Sequence, residues 1–359
     1  MERSDQQVEL TPGVTLEGRY RIDGLLGQGG MGRVWNATQL SLGRPVVVKT
    51  LRAEVSRSDV VVRRFLREAR SAAELDHEGV VRILDVGRLS DASPYFVMEK
   101  LEGQTVDDAL AGRGSFSVED TCEWLAPVAG ALDAAHAGGI IHRDVKPANM
   151  FRARTAGGTT TKLLDFGVAA LRDDSGADRA TKLTLQGTLV GTPHYMAPEC
   201  AEGEAGGPRS DIYALACVAY KMLTGRVPYH ADTTMGVLTA KVHESAPSLS
   251  ERGGTAFAAS VEALFVRALS RDPAERPSTA SAFVARLREA ARDSKAAIVT
   301  IPPARREPSA DDLPFAEGAE PRPRGDSPRA DSAQRSDAVW FAAASLAVMA
   351  LMWAGCLWL

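Results

Sequence analysis

The stretch His142-Arg143-Asp144-Val145-Lys146-Pro147-Ala148-Asn149 decides how the rest of this chain is interpreted. It places an aspartate, a lysine two residues later and an asparagine five residues after the aspartate in one short loop. An aspartate can accept a hydroxyl proton, a lysine can neutralise a phosphate, and an asparagine oxygen can bind a metal ion. The spacing therefore predicts a compact catalytic loop.

Two further tripeptides follow this loop in order. Asp165-Phe166-Gly167 begins 21 residues after Asp144, and Ala197-Pro198-Glu199 ends 34 residues after Asp165. Either tripeptide alone could arise by chance. All three motifs in this order and at this spacing indicate a common origin in one catalytic domain.

A glycine-rich segment, Gly27-Gln28-Gly29-Gly30-Met31-Gly32-Arg33-Val34, precedes them. Glycines let the backbone approach a phosphate and offer N–H donors without side-chain obstruction. A dinucleotide-binding loop would need a helix directly after it, but residues 33–39 alternate like a strand. The sequence has no G-x-x-x-x-G-K-[ST], which excludes a P-loop.

A lysine and a glutamate downstream fit the same chemistry. Lys49 ends the apolar strand Val46-Val47-Val48, and Glu68 lies in the helical pattern of Asp59–Leu75. A lysine held by a glutamate can clamp the α- and β-phosphates of a nucleotide. The alternative is an ordinary surface lysine on an edge strand.

The secondary-structure pattern predicts a small β-rich lobe followed by a larger α-helical lobe. The predicted strands are Tyr20–Leu26, Arg33–Gln39, Arg44–Leu51, Val81–Gly87 and Tyr95–Lys100. After Asp59–Leu75, the predicted helices are one that opens at the capping box Ser117–Asp120, then Ser210–Leu223, Thr233–Glu244, Ser260–Leu269 and Ala280–Ala291. Residues 152–161 are expected to form the tip of a surface hairpin.

Over residues 16–291 these motifs resemble the eukaryotic-like (Hanks-type) serine/threonine protein kinases of bacteria. The resemblance implies an α+β, bilobal protein-kinase fold, with an N-lobe over 16–103 and a C-lobe over 104–291. It also implies ATP and Mg²⁺, or Mn²⁺ in its place, in the cleft between the lobes. Lys146-Pro147 and the segment Gly191–Met196 are similar to serine/threonine rather than tyrosine kinases.

The resemblance also implies a role for each matching residue. Asp144 would be the catalytic base, and Lys146 would contact the γ-phosphate. Asn149 and Asp165 would hold the metal ions. The residues implied in ATP binding are Leu26, Gly27, Gly29, Gly32, Val34, Lys49, Glu68, Met98, Glu99 and Leu101, with Met98 as the gatekeeper and 99–101 as the hinge. Three residues would be structural: Glu199 and Arg276 as an ion pair, and Asp211 as a brace for the catalytic loop.

Arg143, next to the catalytic aspartate, predicts regulation by phosphorylation of the loop between Asp165 and Glu199. An arginine at this position commonly pairs with a phosphate and orders that loop. Thr184 and Thr188 are the predicted phosphoacceptors, and the alternative is that they are ordinary loop residues. We expect protein substrates, and a transient homodimer for autophosphorylation in trans.

The C-terminal residues predict a membrane anchor. The 22 residues from Ala338 to Leu359 carry no charge, and as a helix they would span about 33 Å, which is enough for a bilayer core of about 30 Å. Trp340 and Trp358 lie near the ends of this segment, where indoles favour the interface. A buried core helix or a peripheral amphipathic helix is the alternative.

The segment before the predicted anchor, residues 292–337, is rich in proline and predicts a disordered linker. Its basic residues lie on the N-terminal side of the span, which predicts a single-pass tail anchor in the cell membrane with the kinase domain in the cytoplasm. The basic residues nearest the span are Arg322, Arg324, Arg329 and Arg335. Residues 1–15 are expected to form an N-terminal extension, and the polar first residues predict no signal peptide.

The composition excludes several other classes. Forty-two Lys and Arg against 46 Asp and Glu give a net charge of −4, which does not favour nucleic-acid binding. The four cysteines are widely spaced and predict neither a zinc site nor a disulfide framework. Two alternatives remain: a membrane-tethered pseudokinase that acts as a nucleotide-dependent binding scaffold, and a kinase of small molecules. The complete set of catalytic residues disfavours the first alternative, and the full segment 165–199 disfavours the second.

Overall fold

A computed structural model describes residues 10–29, 32–51, 56, 58–165 and 193–299. Its N-terminal lobe contains the strands β1 (Thr15–Leu16), β2 (Tyr20–Gln28), β3 (Gly32–Gln39), β4 (Arg44–Leu51), β5 (Ile83–Arg88) and β6 (Pro94–Glu99) and the helix α1 (Asp59–Ala73). The strands form an antiparallel sheet in the order β1-β2-β3-β4-β6-β5.

The strand β4 lies inside this sheet because its centre is the apolar run Val46-Val47-Val48. Val46 and Val48 are fully buried, as expected for a central strand covered on both faces. Register aligns Gly27 of β2 with Val34 of β3, and Val34 with Lys49 of β4. The glycine segment therefore ends at the level of the lysine.

Helix α1 packs against the same sheet through its apolar side. Phe65 is buried, and its ring centroid lies 4.9 Å from that of Phe96 in β6. Phe96 is in turn the β6 partner of Lys49 in the sheet register. The aromatic contact thus positions α1 beside the strand that carries the lysine.

The C-terminal lobe is mostly helical. Its helices are α2 (Val106–Arg113), α3 (Val118–Ala137), α4 (Pro198–Ala201), α5 (Pro208–Thr224), α6 (Thr234–His243), α7 (Leu249–Gly253), α8 (Ala259–Ala268) and α9 (Ala280–Val299). Helix α5 is buried on nearly all sides, and its residues from Ile212 to Tyr220 are apolar around the whole circumference, as expected for a central core helix. It begins with Pro208 at a first-turn position and ends at Gly225, whose φ of 72° favours glycine.

A small sheet carries the catalytic loop at the edge of this lobe. The strands β7 (Gly103–Thr105), β8 (Met150–Thr155) and β9 (Gly158–Leu163) form it, with β8 in the centre. The β8–β9 hairpin turns at 156–157, within the hairpin tip predicted at 152–161. Leu163 donates to the carbonyl of Gly79 (2.7 Å) and accepts from the N–H of Val81 (3.2 Å), which ties β9 to the N-terminal lobe.

The predicted elements are present, with bounds that differ by two residues or fewer in all but one long element. The exception is α9, predicted to end at 291 with a linker from 292, whereas the helix continues to Val299. The helix therefore includes the first eight residues of the predicted linker. Residues 292–299 contain good helix formers and no proline, and the first prolines follow at Pro302 and Pro303.

Within the described ranges, no helix is long and apolar enough to cross a bilayer. The membrane span predicted at 338–359 lies outside those ranges, as does almost all of the predicted linker.

Candidate active site

Two neighbours hold the side chain of Asp144 in place. Lys146 Nζ donates to Asp144 Oδ2 (2.7 Å), and Asn149 Nδ2 donates to the same oxygen (2.9 Å) and to the Asp144 backbone carbonyl (2.8 Å). The 3₁₀ turn Pro147–Asn149 brings the asparagine back toward the aspartate. No described residue hydrogen-bonds to Asp144 Oδ1, so this oxygen can accept a proton from a hydroxyl.

Asp211, in the first turn of α5, braces the catalytic loop from below. Its buried carboxylate accepts the backbone N–H groups of His142 and Arg143, each at 2.8 Å. His136 of α3 also hydrogen-bonds to Asp211 Oδ2 (2.8 Å). These contacts hold Arg143 at a φ of 66°, a conformation that costs a non-glycine residue about 1–3 kcal/mol.

His142 connects the catalytic loop to the segment around Asp165. Its ring Nδ1 accepts from the backbone N–H of Asp144 (3.2 Å), and its Nε2 contacts the carbonyl of Leu164 (2.9 Å). These partners require a neutral ring protonated at Nε2. Complete burial lowers the pKa of His142, which keeps the ring neutral.

The N-terminal lobe contributes Lys49 to the site. Lys49 Nζ lies 2.9 Å from Asp165 Oδ1, and only 14% of the lysine side chain is exposed. Asp165 follows β9 with a φ of 54°, and the N–H of the preceding Leu164 donates to the carbonyl of Asn149 (2.8 Å). The three elements that carry Lys49, Asn149 and Asp165 therefore converge at one point of the cleft.

The glycine segment can approach a nucleotide closely. A Cβ on Gly32 would lie 2.5 Å from the Thr50 carbonyl oxygen, so this position requires glycine. Gly29 donates its N–H to the Gly32 carbonyl (2.9 Å), which closes the loop. Leu26, just before the loop, is 55% exposed and could cover an adenine ring.

The predicted hinge follows β6. Met98 is half-buried and packs against the cluster of Phe65, Phe96 and their neighbours. The Glu99 carboxylate Oε1 accepts from Lys162 Nζ (2.8 Å) and from the backbone N–H of Arg82 (2.9 Å). The Glu99 side chain is therefore directed toward β9 and the residue that precedes β5. Leu101, two residues further along the hinge, is half-buried.

Glu199 and Arg276 form a buried bidentate ion pair. Arg276 Nη1 and Nη2 donate to the two carboxylate oxygens of Glu199 at 2.8 and 2.7 Å, and Ser210 Oγ adds a third bond (2.6 Å). Burial acts to raise the pKa of Glu199, but the hydrogen bonds from Arg276 and Ser210 outweigh it and hold that pKa below its usual value. The pair joins α4, α5 and the 3₁₀ turn Pro273–Glu275.

The donor set fits a magnesium ion bound together with a nucleotide. Asn149 uses Nδ2 to hold Asp144, so its Oδ1 remains for a cation, and Asp165 supplies a carboxylate. Among the described residues, no three His, Cys, Asp or Glu side chains group as ligands. An asparagine oxygen and a carboxylate match Mg²⁺, which takes one or two protein oxygens and completes its shell with phosphate and water.

Some predicted residues lie outside the described part of the chain. Thr184 and Thr188 fall in 166–192, and the side chain of Glu68 is not described, although its backbone lies in α1. Conversely, sequence reasoning assigned no contact to His142, His136 or Lys162. Their contacts with Leu164, Asp211 and Glu99 join residues 22 to 75 positions apart in the chain, beyond the reach of any local pattern.

The chain belongs to the protein kinase domain family, whose match covers residues 20–286. It is 38% identical over 277 residues to the serine/threonine-protein kinase pkn3 of Myxococcus xanthus, covering 77% of this chain and 50% of that protein. It is 37% identical over 271 residues to the serine/threonine-protein kinase PknB of Mycobacterium tuberculosis, covering 74% of this chain and 42% of that protein. The chain thus spans half or less of the length of these relatives.

Solved structures agree with this assignment. The crystal structure of the PknI kinase domain of M. tuberculosis superposes with a TM-score of 0.61 at 27% identity, over 79% of this chain and 100% of that domain. The bilobal protein-kinase fold predicted from the motifs is confirmed, with a β-rich N-lobe and a helical C-lobe.

Proposed function

We propose that this chain is an active serine/threonine protein kinase that transfers the γ-phosphate of ATP to hydroxyl groups of proteins. The observation that carries the proposal is the arrangement of Asp144, with Oδ2 fixed by Lys146 and Asn149 while Oδ1 is left for a hydroxyl. Family membership and the bacterial serine/threonine kinase relatives support the same reaction.

The mechanism uses positioning and charge more than covalent chemistry. Asp144 Oδ1 takes the proton of the substrate hydroxyl. The hydroxyl oxygen bonds to the γ-phosphorus, and the bond between that phosphorus and the β–γ bridging oxygen breaks, which releases ADP. Lys146, which contacts the Asp144 carboxylate, stabilises the charge on the transferred phosphoryl group. Lys49 holds the remaining phosphates. Mg²⁺, bound through Asn149 and Asp165, would neutralise charge on the phosphates.

Incubation of the purified full chain with labelled ATP, Mg²⁺ and a protein acceptor tests the activity. We expect label in the acceptor, and a rate lower by about 10²- to 10⁴-fold for Asp144→Asn, since general-base assistance contributes that much. Asp133→Asn removes a carboxylate that caps α9 and offers a control outside the site. If wild type transfers no more label than Asp144→Asn, the chain is not an active kinase and a nucleotide-dependent scaffold becomes the better interpretation.

Autophosphorylation on Thr184 and Thr188 would regulate this activity. Arg143 supports this part of the proposal, because it adjoins the catalytic aspartate and can pair with a phosphate. Mass spectrometry of the active enzyme should find phosphate within 173–192. We expect one copy to phosphorylate this segment of another copy. An active enzyme with a bare segment would contradict it.

Residues 338–359 would anchor the enzyme in the cell membrane with the kinase domain in the cytoplasm. The support is the uncharged run of 22 residues and the arginines that precede it. We expect the full chain in the membrane fraction and a chain ending at 335 in the soluble fraction. Equal fractionation of the two would remove the anchor from the proposal.

A further inference from the structure

A cleft of about 700 Å³ opens beside the catalytic loop in the C-terminal lobe. Its lining includes six basic or imidazole side chains and one carboxylate, Asp107. The six are Lys146, His194, Lys221, Arg226, His230 and Arg252. Sequence reasoning gave a role to Lys146 alone among these residues.

Charge in the cleft is only half compensated. Lys146 pairs with Asp144 and Lys221 pairs with Asp107, each at 2.7 Å. Arg226 and Arg252 pair with no carboxylate of the described residues. The cleft therefore carries an excess of two positive charges, because arginine stays protonated at all physiological pH values.

The two arginines differ in freedom. Arg226 is exposed at the end of α5, whereas Arg252 is half-buried and donates through Nη2 to the Pro228 carbonyl (3.2 Å). Arg252 Nε has no hydrogen-bond partner among the described residues. Because Nε is buried, the Nη2 bond to the Pro228 carbonyl is what preorganises this guanidinium in the cleft wall, and it reduces the entropy lost when an anion binds.

His194 contributes hydrogen bonding more than charge. The His194 and His230 rings stack with centroids 6.3 Å apart, and His194 Nδ1 lies 3.3 Å from the Tyr229 carbonyl. Burial lowers the pKa of His194, so that ring is neutral at pH 7. The two arginines supply positive charge that no described carboxylate pairs with.

We propose that this cleft selects protein substrates that carry an anionic side chain within a few residues of the acceptor hydroxyl. Lys146 connects the two sites, because its ammonium contacts Asp144 and also lines the cleft. An extended peptide advances about 3.3 Å per residue, so a side chain a few residues from the hydroxyl reaches the cleft. A basic side chain at the same place would meet two unpaired guanidinium groups and be rejected.

The anion could be an Asp or Glu side chain or a phosphate added by an earlier phosphorylation. Both would accept hydrogen bonds from guanidinium groups. Substrate selection by this cleft rests on the proposed kinase activity. Anion binding by the cleft can be measured without phosphate transfer.

The test uses the full chain in detergent with a neutral serine peptide. In this peptide each position within four residues of the serine is replaced in turn by Asp, phosphoserine or Lys. Binding of fluorescein-labelled peptides is measured by anisotropy, and kcat/KM is measured in parallel. We expect at least one Asp position to improve both by about three- to tenfold over the neutral peptide, and Lys there to lower both. The phosphoserine arm distinguishes the two anion sources.

Cleft variants and a matched control locate the effect. Arg226→Glu should abolish the preference for Asp, and Arg252→Gln, which keeps a donor for Pro228, should reduce it. Arg286→Glu makes the same charge change on an exposed site of α9 and should retain the full preference. Equal binding of Asp, Lys and neutral peptides by wild type would overturn the inference, as would equal loss in Arg286→Glu. Selective binding of acidic peptides without transfer would instead refute the proposed kinase activity and leave the cleft assignment standing.

Discussion

His142 shows how a single buried side chain connects the parts of this site. Its neutral ring joins the Asp144 amide to the Leu164 carbonyl, so it fixes Asp144 relative to Asp165. A neutral imidazole is required because Nδ1 acts as an acceptor. Protonation of Nδ1 would break the contact with Asp144 and place an uncompensated charge in the core.

His142→Phe should therefore lower the free energy of unfolding at pH 7.5 by about 1–3 kcal/mol, because it leaves two backbone groups without a partner. The substitution should also make the free energy of unfolding less dependent on pH between 7.5 and 5.5. A histidine with a lowered folded pKa loses stability as pH falls below its ordinary value of about 6.5, since the unfolded chain binds the proton more readily. Urea unfolding at pH 7.5 and 5.5 measures both.

His243→Gln alters an exposed histidine and serves as the control. The wild-type difference between the two pH values should persist in this variant and shrink in His142→Phe. An unchanged difference in His142→Phe would show that another group carries the acid dependence.

At this scale, the sequence identified what chain spacing can identify. Asp144, Lys146 and Asn149 lie within six residues of one another, so their order alone indicated a shared site. The Glu99–Lys162 pair depends on two strands meeting 63 residues apart in the chain. Asp211 could be placed only through the family resemblance, because its partners are backbone amides of a remote loop.

At the scale of elements, the Glu199–Arg276 pair holds α4 and α5 to the turn before α9. Removing one partner of a buried pair leaves the other charge uncompensated, which costs about 3–5 kcal/mol. Arg276→Met should lower the free energy of unfolding by about that amount. Urea unfolding of Arg276→Met, Glu199→Gln and the double variant completes a cycle, and strictly additive losses would show that the two residues act independently.

The Glu199–Arg276 pair also predicts that the folded state loses stability at low pH. Glu199 has a lowered folded pKa, so its contribution is complete above its unfolded pKa of about 4.3 and is lost as pH falls below that value. Unfolding measured between pH 6 and 3.5 should show a smaller decline for Glu199→Gln than for wild type. A decline of equal size would contradict the assignment.

Lys241 of α6 presents the opposite case, a buried cation with no carboxylate partner among the described residues. Its Nζ lies over the rings of Tyr213 and Tyr229, 4.9 and 5.1 Å from their centroids, and burial lowers the pKa of Lys241. Replacing a buried charge by an apolar side chain of similar volume is commonly neutral or stabilising by about 1–4 kcal/mol. Lys241→Met should therefore raise Tm in calorimetry, whereas Lys241→Ala should lower it because it also creates a cavity. A lower Tm for Lys241→Met would show that the contacts with the two tyrosine rings outweigh the cost of burying the charge.

Element prediction succeeded where a periodic pattern was long. The helix after Ser117 was signalled by its cap and its apolar face, and the side chain of Ser117 accepts the Asp120 N–H as predicted. Helices α4 and α7 have four and five residues, too few to show a period of 3.6. Their positions follow from tertiary contacts instead.

At the scale of the whole molecule, polar contacts between described residues of the two lobes join them around the active site. Lys49 from the N-lobe reaches Asp165 from the C-lobe, and Gly79 and Val81 bond to Leu163. Sequence order predicted the lobes themselves, because the strand-rich and helix-rich halves are contiguous. It could not predict the Lys49–Asp165 contact, which depends on how the lobes close.

A ligand held by both lobes should therefore stabilise the whole described domain. Saturation at about 100 times Kd contributes about 2.7 kcal/mol, which corresponds to a rise in Tm of roughly 5–10 °C for a domain of this size. We expect ATP with Mg²⁺ to produce this rise in wild type and in Asp144→Asn, whose nucleotide contacts are intact. Lys49→Met should show a much smaller rise, because it removes the cation that would hold the phosphates and contact Asp165. Thermal unfolding with and without nucleotide measures the shift, and an equal shift in Lys49→Met would place the nucleotide away from the junction of the two lobes.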